Sequence, residues 1–96
     1  MIELYQAEWC PHSRKVRQRL TELGVDYIAR QVEAEPGDRD AMKERTGESE
    51  TPVLLVDDEV VSGEEEILAY FHKHFEPRGD AEAHREKALE KAGLPS

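Results

Sequence analysis

Only one cysteine occurs in these 96 residues, at position 10. No internal disulfide can therefore form, and stability must come from a single hydrophobic core near the lower size limit at which a core suffices. A chain without disulfides fits a reducing cytoplasm, and we expect that location. The opening stretch Met1–Trp9 has neither a basic n-region nor an apolar h-region, and no apolar run approaches the roughly 18 residues of a membrane span. Membrane association is not expected. Basic residues are outnumbered: 13 Lys and Arg stand against 22 Asp and Glu, a net charge of −9. Such a surface repels phosphate backbones, which disfavours nucleic acid as a partner. The four histidines and one cysteine show no ligand spacing, so we expect no metal site.

The elements follow from periodicity. Residues 2–6, IELYQ, are a short strand-forming run broken by EWCP. From Pro11, residues Val16, Leu20 and Leu23 fall at helical spacing and Gly24 supplies the stop. Residues 25–32, VDYIARQV, predict a second strand, entered so soon that a β-α-β unit is the natural assembly. Asp38 is positioned to cap a short helix over 39–46 that ends at Gly47. Residues 53–61, VLLVDDEVV, predict a hairpin turning at Asp57 and Asp58. A helix over 64–75 follows, with Ile67, Tyr70, Phe71 and His74 on one stripe and Glu64, Glu65 and Glu66 in its first turn. EPRGD interrupts, and residues 81–93 predict a last, largely polar helix with Ala88, Leu89 and Ala92 as its apolar face. These elements assemble as an α/β domain: a four-stranded mixed sheet with helices on both faces, plus an extra C-terminal helix. We divide the chain into a domain over residues 1–76 and an extension over 77–96.

A lone cysteine is most often a small buried hydrophobe. Cys10, however, ends a strand and starts a helix. There the first-turn N–H groups and the helix dipole favour a thiolate, and Arg14, Lys15, Arg17 and Arg19 follow closely. Ser13 sits one turn on, able to donate to the sulfur but unable to form a disulfide with it. Glu8 opposes the anion.

CPHS after the first strand, TPVLLV over 51–56 and VVSGEEEILAYF over 60–71 together resemble glutaredoxins, and equally the N-terminal domain of glutathione transferases. The resemblance covers residues 2 to about 75 and implies a thioredoxin-like βαβαββα fold. It implies Cys10 as nucleophile with Ser13 as its stabiliser, and a substrate groove bordered by Pro11 and His12. It further implies that Pro52 is a cis-proline facing the cysteine and that Thr51 pairs its backbone with a bound thiol peptide. Ser62, Gly63, Glu64 and Glu65 match the segment that holds a γ-glutamyl end, which suits a helix N-terminus. Trp9 either borders the groove or packs on the helix.

Two departures bear on substrate. The family's lysine three residues before the cysteine is Ala7 here, and the basic or amide groups before the TP pair are replaced by GESE over 47–50. Either Arg14, Lys15 or another cation substitutes, or the thiol is not glutathione. Ser13 in place of a second cysteine excludes a two-cysteine mechanism. The resulting expectation is a monomeric, monothiol oxidoreductase that reduces mixed disulfides between proteins and a small thiol, glutathione or an analogue, as co-substrate. The alternatives are a thiol-peptide-binding or [2Fe–2S]-carrier module, disfavoured by Pro11, and a transferase-like domain, disfavoured by the lack of an all-helical second domain.

Overall fold

The computed structural model describes residues 1–92. Its elements are β1 (Ile2–Gln6), α1 (Pro11–Leu23), β2 (Ile28–Gln31), α2 (Asp40–Thr46), β3 (Val53–Val56), β4 (Glu59–Ser62), α3 (Glu64–His74) and α4 (Ala81–Lys91). The strands lie in the order β2-β1-β3-β4. β1 runs parallel to β2 and antiparallel to β3, which is antiparallel to β4.

Alternation along the strands divides the core between the two faces of the sheet. Leu4 and Leu54, directly paired, pack with Val16, Leu20 and Leu23 of α1 and with Ile67 and Phe71 of α3. Tyr5, Val53 and Leu55 pack on the opposite side against Met42 of α2. Polar side chains that enter these layers bring partners: the buried Glu3 carboxylate receives Arg30 at 2.8 Å and Arg45 at 3.1 Å. Among the described residues no buried side-chain nitrogen or oxygen is left without a hydrogen bond.

α1 takes its start and stop from the residues the sequence offers. Pro11 occupies the first helical position, where a missing N–H costs nothing. Gly24 closes the helix with φ +68°, a conformation that a Cβ would disfavour. The cap extends further than expected, since Val25 donates its N–H to the Leu20 carbonyl at 3.1 Å. Val25 and Tyr27 therefore pack against the first core cluster instead of pairing as strand. β2 is accordingly four residues long, shorter than the expected 25–32.

Asp38 does not cap α2. It falls in a 3-10 turn, Pro36–Asp38, and Arg39 takes the N-cap position without a capping side chain. Arg39 instead turns inward, 2% exposed, and its guanidinium donates to the carbonyls of Glu33 (2.8 Å), Ala34 (3.2 Å) and Ser49 (2.8 Å).

α4 docks on α1. Arg85 donates to the buried Glu22 carboxylate at 2.9 Å, which also receives Gln18 and Arg19, both at 3.1 Å. The Arg78 N–H reaches the Glu22 carbonyl at 3.0 Å, and Gln18 donates to the His84 carbonyl at 3.3 Å. Burial pushes the Glu22 carboxyl up, yet its bonds to Arg85, Gln18 and Arg19 outweigh that and hold it below the ordinary carboxylate value. The expected apolar face is only partly used: Ala81 is buried and Ala88 half-buried, but Leu89 is 75% exposed. His74, expected on the buried stripe of α3, is exposed and stacks on Tyr70 with ring centroids 4.2 Å apart. The expected helix end at Gly93 lies outside the described residues.

Candidate functional site

Three segments from distant parts of the chain converge on Cys10. The first is the turn Ala7–Cys10, closed by the Cys10 N–H donating to the Ala7 carbonyl at 3.1 Å. Cys10 is the N-cap residue of α1, and its own carbonyl accepts the first helical bond, from the Arg14 N–H at 3.0 Å. Its side chain is 7% exposed. Ser13, fully buried one turn on, accepts the Ala7 N–H on its Oγ at 3.4 Å, which leaves its O–H proton for the sulfur.

The second segment is Thr51-Pro52, joined by a cis peptide bond. The Pro52 carbonyl accepts the Gly63 N–H at 3.0 Å, which fixes the third segment, the start of α3, beside it. Gly63 has φ +93°, accessible to glycine and strained for other residues.

Burial raises the Cys10 pKa, but hydrogen bonds from the Ser13 hydroxyl and N–H, the Thr51 hydroxyl and the His12 N–H more than reverse this. The net result is a fall from 9.0 to about 7. A thiol buried for packing alone would move the other way. Three of the four cations expected to help are engaged elsewhere, and Arg14 is exposed. Arg17 is bound to Gln6, the Ala7 carbonyl and Glu8, Arg19 to Glu22, and Lys15 lies 3.8 Å from Glu64. The thiolate is held by local hydrogen bonds instead.

Beside the thiol lies an open groove of about 560 Å³ lined by His12, Lys15, Thr51, Pro52, Gly63 and Glu64 to Glu66. Of the expected site residues, His12, Thr51, Pro52, Gly63, Glu64 and Glu65 meet there, while Pro11 is exposed at the helix start. Ser62 ends β4, exposed and outside the groove lining. Trp9 is 65% exposed and lies outside the groove lining. Sequence reasoning assigned Thr51 a backbone role and missed that its hydroxyl helps to lower the Cys10 pKa. It did not place Glu66 in the groove, and it weighed Lys15 as a cation near the thiol and as a substitute clamp, not as a partner of Glu64. The helical spacing of His12 and Lys15 carries the signal for the latter.

Across the groove, His12 Nδ1–H donates to Glu64 Oε1 at 2.6 Å, and Lys15 Nζ lies 3.8 Å from Oε2. The His12 bond, opposed by burial and aided by the Lys15 charge, holds the Glu64 carboxyl below its ordinary value. Glu64 thus ties the N-termini of α1 and α3 together.

A glutaredoxin family model matches residues 2–61. Glutaredoxin 3 of Escherichia coli (strain K12) is 24% identical over 68 residues, 71% of this chain and 82% of that protein. Among solved structures, a glutathione S-transferase from Rhodospirillum rubrum F11 superposes with a TM-score of 0.66 at 30% identity. It does so over 78% of this chain but 34% of that one, so the present chain spans about a third of the transferase. A thioredoxin-like protein superposes with a TM-score of 0.63 at 25% identity, over 76% of this chain and 96% of that one. The fold is thioredoxin-like.

Proposed function

This chain belongs to the glutaredoxin family, and from that premise we propose that it is a monothiol oxidoreductase that reduces mixed disulfides between proteins and a small thiol. The observation that carries this reading is the state of Cys10: a near-buried thiol at a helix N-terminus, brought to a pKa of about 7 by Ser13, Thr51 and His12, beside a groove of ligand size.

The Cys10 thiolate attacks the small thiol's sulfur in the mixed disulfide. A bond forms between Cys10 and that sulfur, and the protein thiolate leaves and takes a proton. A second small thiol, as thiolate, then attacks the sulfur now attached to Cys10. This releases the small-molecule disulfide and restores the Cys10 thiolate, so the two electrons come from the small thiols. Ser13 stabilises the anion both as nucleophile and as leaving group. Thr51 and Pro52 wall the groove, with Pro11 and His12 at its mouth. The segment from Ser62 to Glu65, which runs from the end of β4 into the first turn of α3, receives the amino-acid end of the ligand. Glutathione or an analogue is the co-substrate.

We place the chemistry in residues 1–76, with residues 77–96 as an extension whose described part braces α1. We read the protein as a cytoplasmic monomer; among the described residues no helix is long and apolar enough to cross a membrane. A [2Fe–2S] centre takes four ligands, cysteine thiolates in most cases, with two histidines in place of two of them in some centres. This chain supplies one cysteine, and among its described residues no group of three or more His, Cys, Asp or Glu is gathered to hold a metal. Those residues do not fit a cluster held within one chain.

The test is turnover of a peptide disulfide-bonded to a small thiol, followed by release of the free peptide thiol, with Cys10→Ser as comparison. Loss of all activity in Cys10→Ser is expected. Equal activity in the two proteins would overturn the assignment.

A further inference from the structure

The charges lining the groove point to which small thiols it takes. Three carboxylates, Glu64, Glu65 and Glu66, face two cationic or ionisable groups, His12 and Lys15. Both of the latter are turned to the same carboxylate, Glu64, at 2.6 and 3.8 Å. The ligand therefore meets Glu65 and Glu66, both exposed, with no uncommitted basic side chain in the groove lining. The surroundings reinforce this sign. Glu48 and Glu50 stand in the segment leading to Thr51, Arg17 is held by Gln6, the Ala7 carbonyl and Glu8, and the exposed Arg14 lies outside the groove lining.

We propose that the groove selects thiols bearing an ammonium group over thiols bearing a carboxylate near the sulfur, and that Glu64 sets this preference by occupying both basic groups. The inference rests on the oxidoreductase reading above and names the substrate class for that same site. An ammonium group gains from Glu65 and Glu66. A carboxylate placed there meets like charge with no partner, and only the N–H groups at the start of α3 are left to receive an α-carboxylate. Glu64 is in this sense a specificity-determining residue: removing its charge frees His12 and Lys15 for an anionic ligand.

The experiment uses one peptide disulfide-bonded in turn to cysteamine, 2-mercaptoethanol and 3-mercaptopropionate, which have similar size and carry positive, zero and negative charge. Each enzymatic rate is divided by that of uncatalysed exchange for the same disulfide. The expected order is cysteamine, mercaptoethanol, mercaptopropionate, with a spread between the extremes on the order of tenfold at low salt that shrinks as ionic strength rises. Glu64→Gln should narrow the spread at least about threefold, whereas Lys15→Gln, which leaves Glu64 less neutralised, should widen it. Equal rates for the three disulfides, or faster mercaptopropionate, would overturn the inference while leaving the oxidoreductase reading intact. Failure to turn over any of them would overturn the inference, and the same peptide disulfide-bonded to glutathione, run alongside, decides the oxidoreductase reading, which falls if that disulfide is not turned over either. A charge preference that Glu64→Gln leaves unchanged in a folded variant would remove Glu64 from its cause.

Discussion

Replacing Ser13 by alanine tests how the thiol is activated. The fall of the Cys10 pKa from 9.0 to about 7 amounts to about 2.7 kcal/mol of net thiolate stabilisation, at about 1.36 kcal/mol per unit. A hydrogen bond to a charged group contributes about 1.5–3 kcal/mol, and the Ser13 hydroxyl is the strongest of the donors on this sulfur. Its loss should raise the pKa by about one unit or more, to about 8 or above. At pH 7 the thiolate fraction then drops from about a half to about a tenth. The remaining thiolate is intrinsically about threefold more nucleophilic, because reactivity rises with basicity. The first step should therefore slow only about twofold at pH 7 and run faster than wild type above about pH 7.5. Ultraviolet thiolate absorbance and alkylation rate against pH would measure both effects. A second consequence concerns stability. A thiol whose folded pKa is depressed contributes stability that is fully present above 9.0 and is lost as pH falls through about 7. Wild type should gain up to about 2.7 kcal/mol between those limits, and the variant less. The variant also leaves the buried Ala7 N–H without its Ser13 acceptor, a further cost of about 1–3 kcal/mol at any pH. A Cys10 pKa unchanged by Ser13→Ala would refute the donor assignment. Slowing by one constant factor at every pH would make Ser13 a packing residue only.

Thr51→Val should raise the Cys10 pKa in the same direction by less, since the Thr51 hydroxyl is a weaker contributor than Ser13, and the same titration measures it. Ser13→Cys should close an internal disulfide with Cys10 under mild oxidation, losing two hydrogens in intact-mass spectrometry. Wild type under the same treatment should gain the mass of the small thiol, and a wild type that takes up none would show Cys10 to be inaccessible. Glu22→Gln should destabilise the protein by about 1–3 kcal/mol and raise amide exchange in α4 above that in α1. Because the folded Glu22 pKa is depressed, its contribution is complete above 4.5 and lost as pH falls through the lower folded value. That acid-side loss should be smaller in the variant. Leu20→Ala, at a fully buried position beside Leu4 and Phe71, should cost about 2–5 kcal/mol by thermal or urea unfolding without moving the Cys10 pKa.

The elements that place the thiol were legible because their signals are local. Val16, Leu20 and Leu23 mark one face of α1, Pro11 and Gly24 mark its ends, and two β-branched runs flank the hairpin turn. β2 was overextended because Val25 and Tyr27 are apolar for another reason, packing beneath the helix C-cap. Within the site, the short motifs identified Cys10, Thr51 and Pro52. Some partners of the cations lie far apart in sequence, such as Glu64 for His12, which no spacing encodes, whereas Glu22 for Arg19 is an i,i+3 pair that the helix itself offers. Charge alone suggested that Arg17 and Arg19 would act on the sulfur. The structure spends them on Gln6, Glu8 and Glu22 instead.

Arg39 lies outside the groove lining, yet its guanidinium bridges the carbonyls of Glu33 and Ala34 to that of Ser49, two residues before Thr51. The loop after β2 and the loop before β3 are thereby clasped into one piece, so neither can be lengthened without dragging the other. Anyone transplanting this thiol site onto another scaffold would have to carry residues 33–39 along with it. Without them, the backbone that leads into Thr51 and Pro52 would lose its anchor, although every residue lining the groove had been copied.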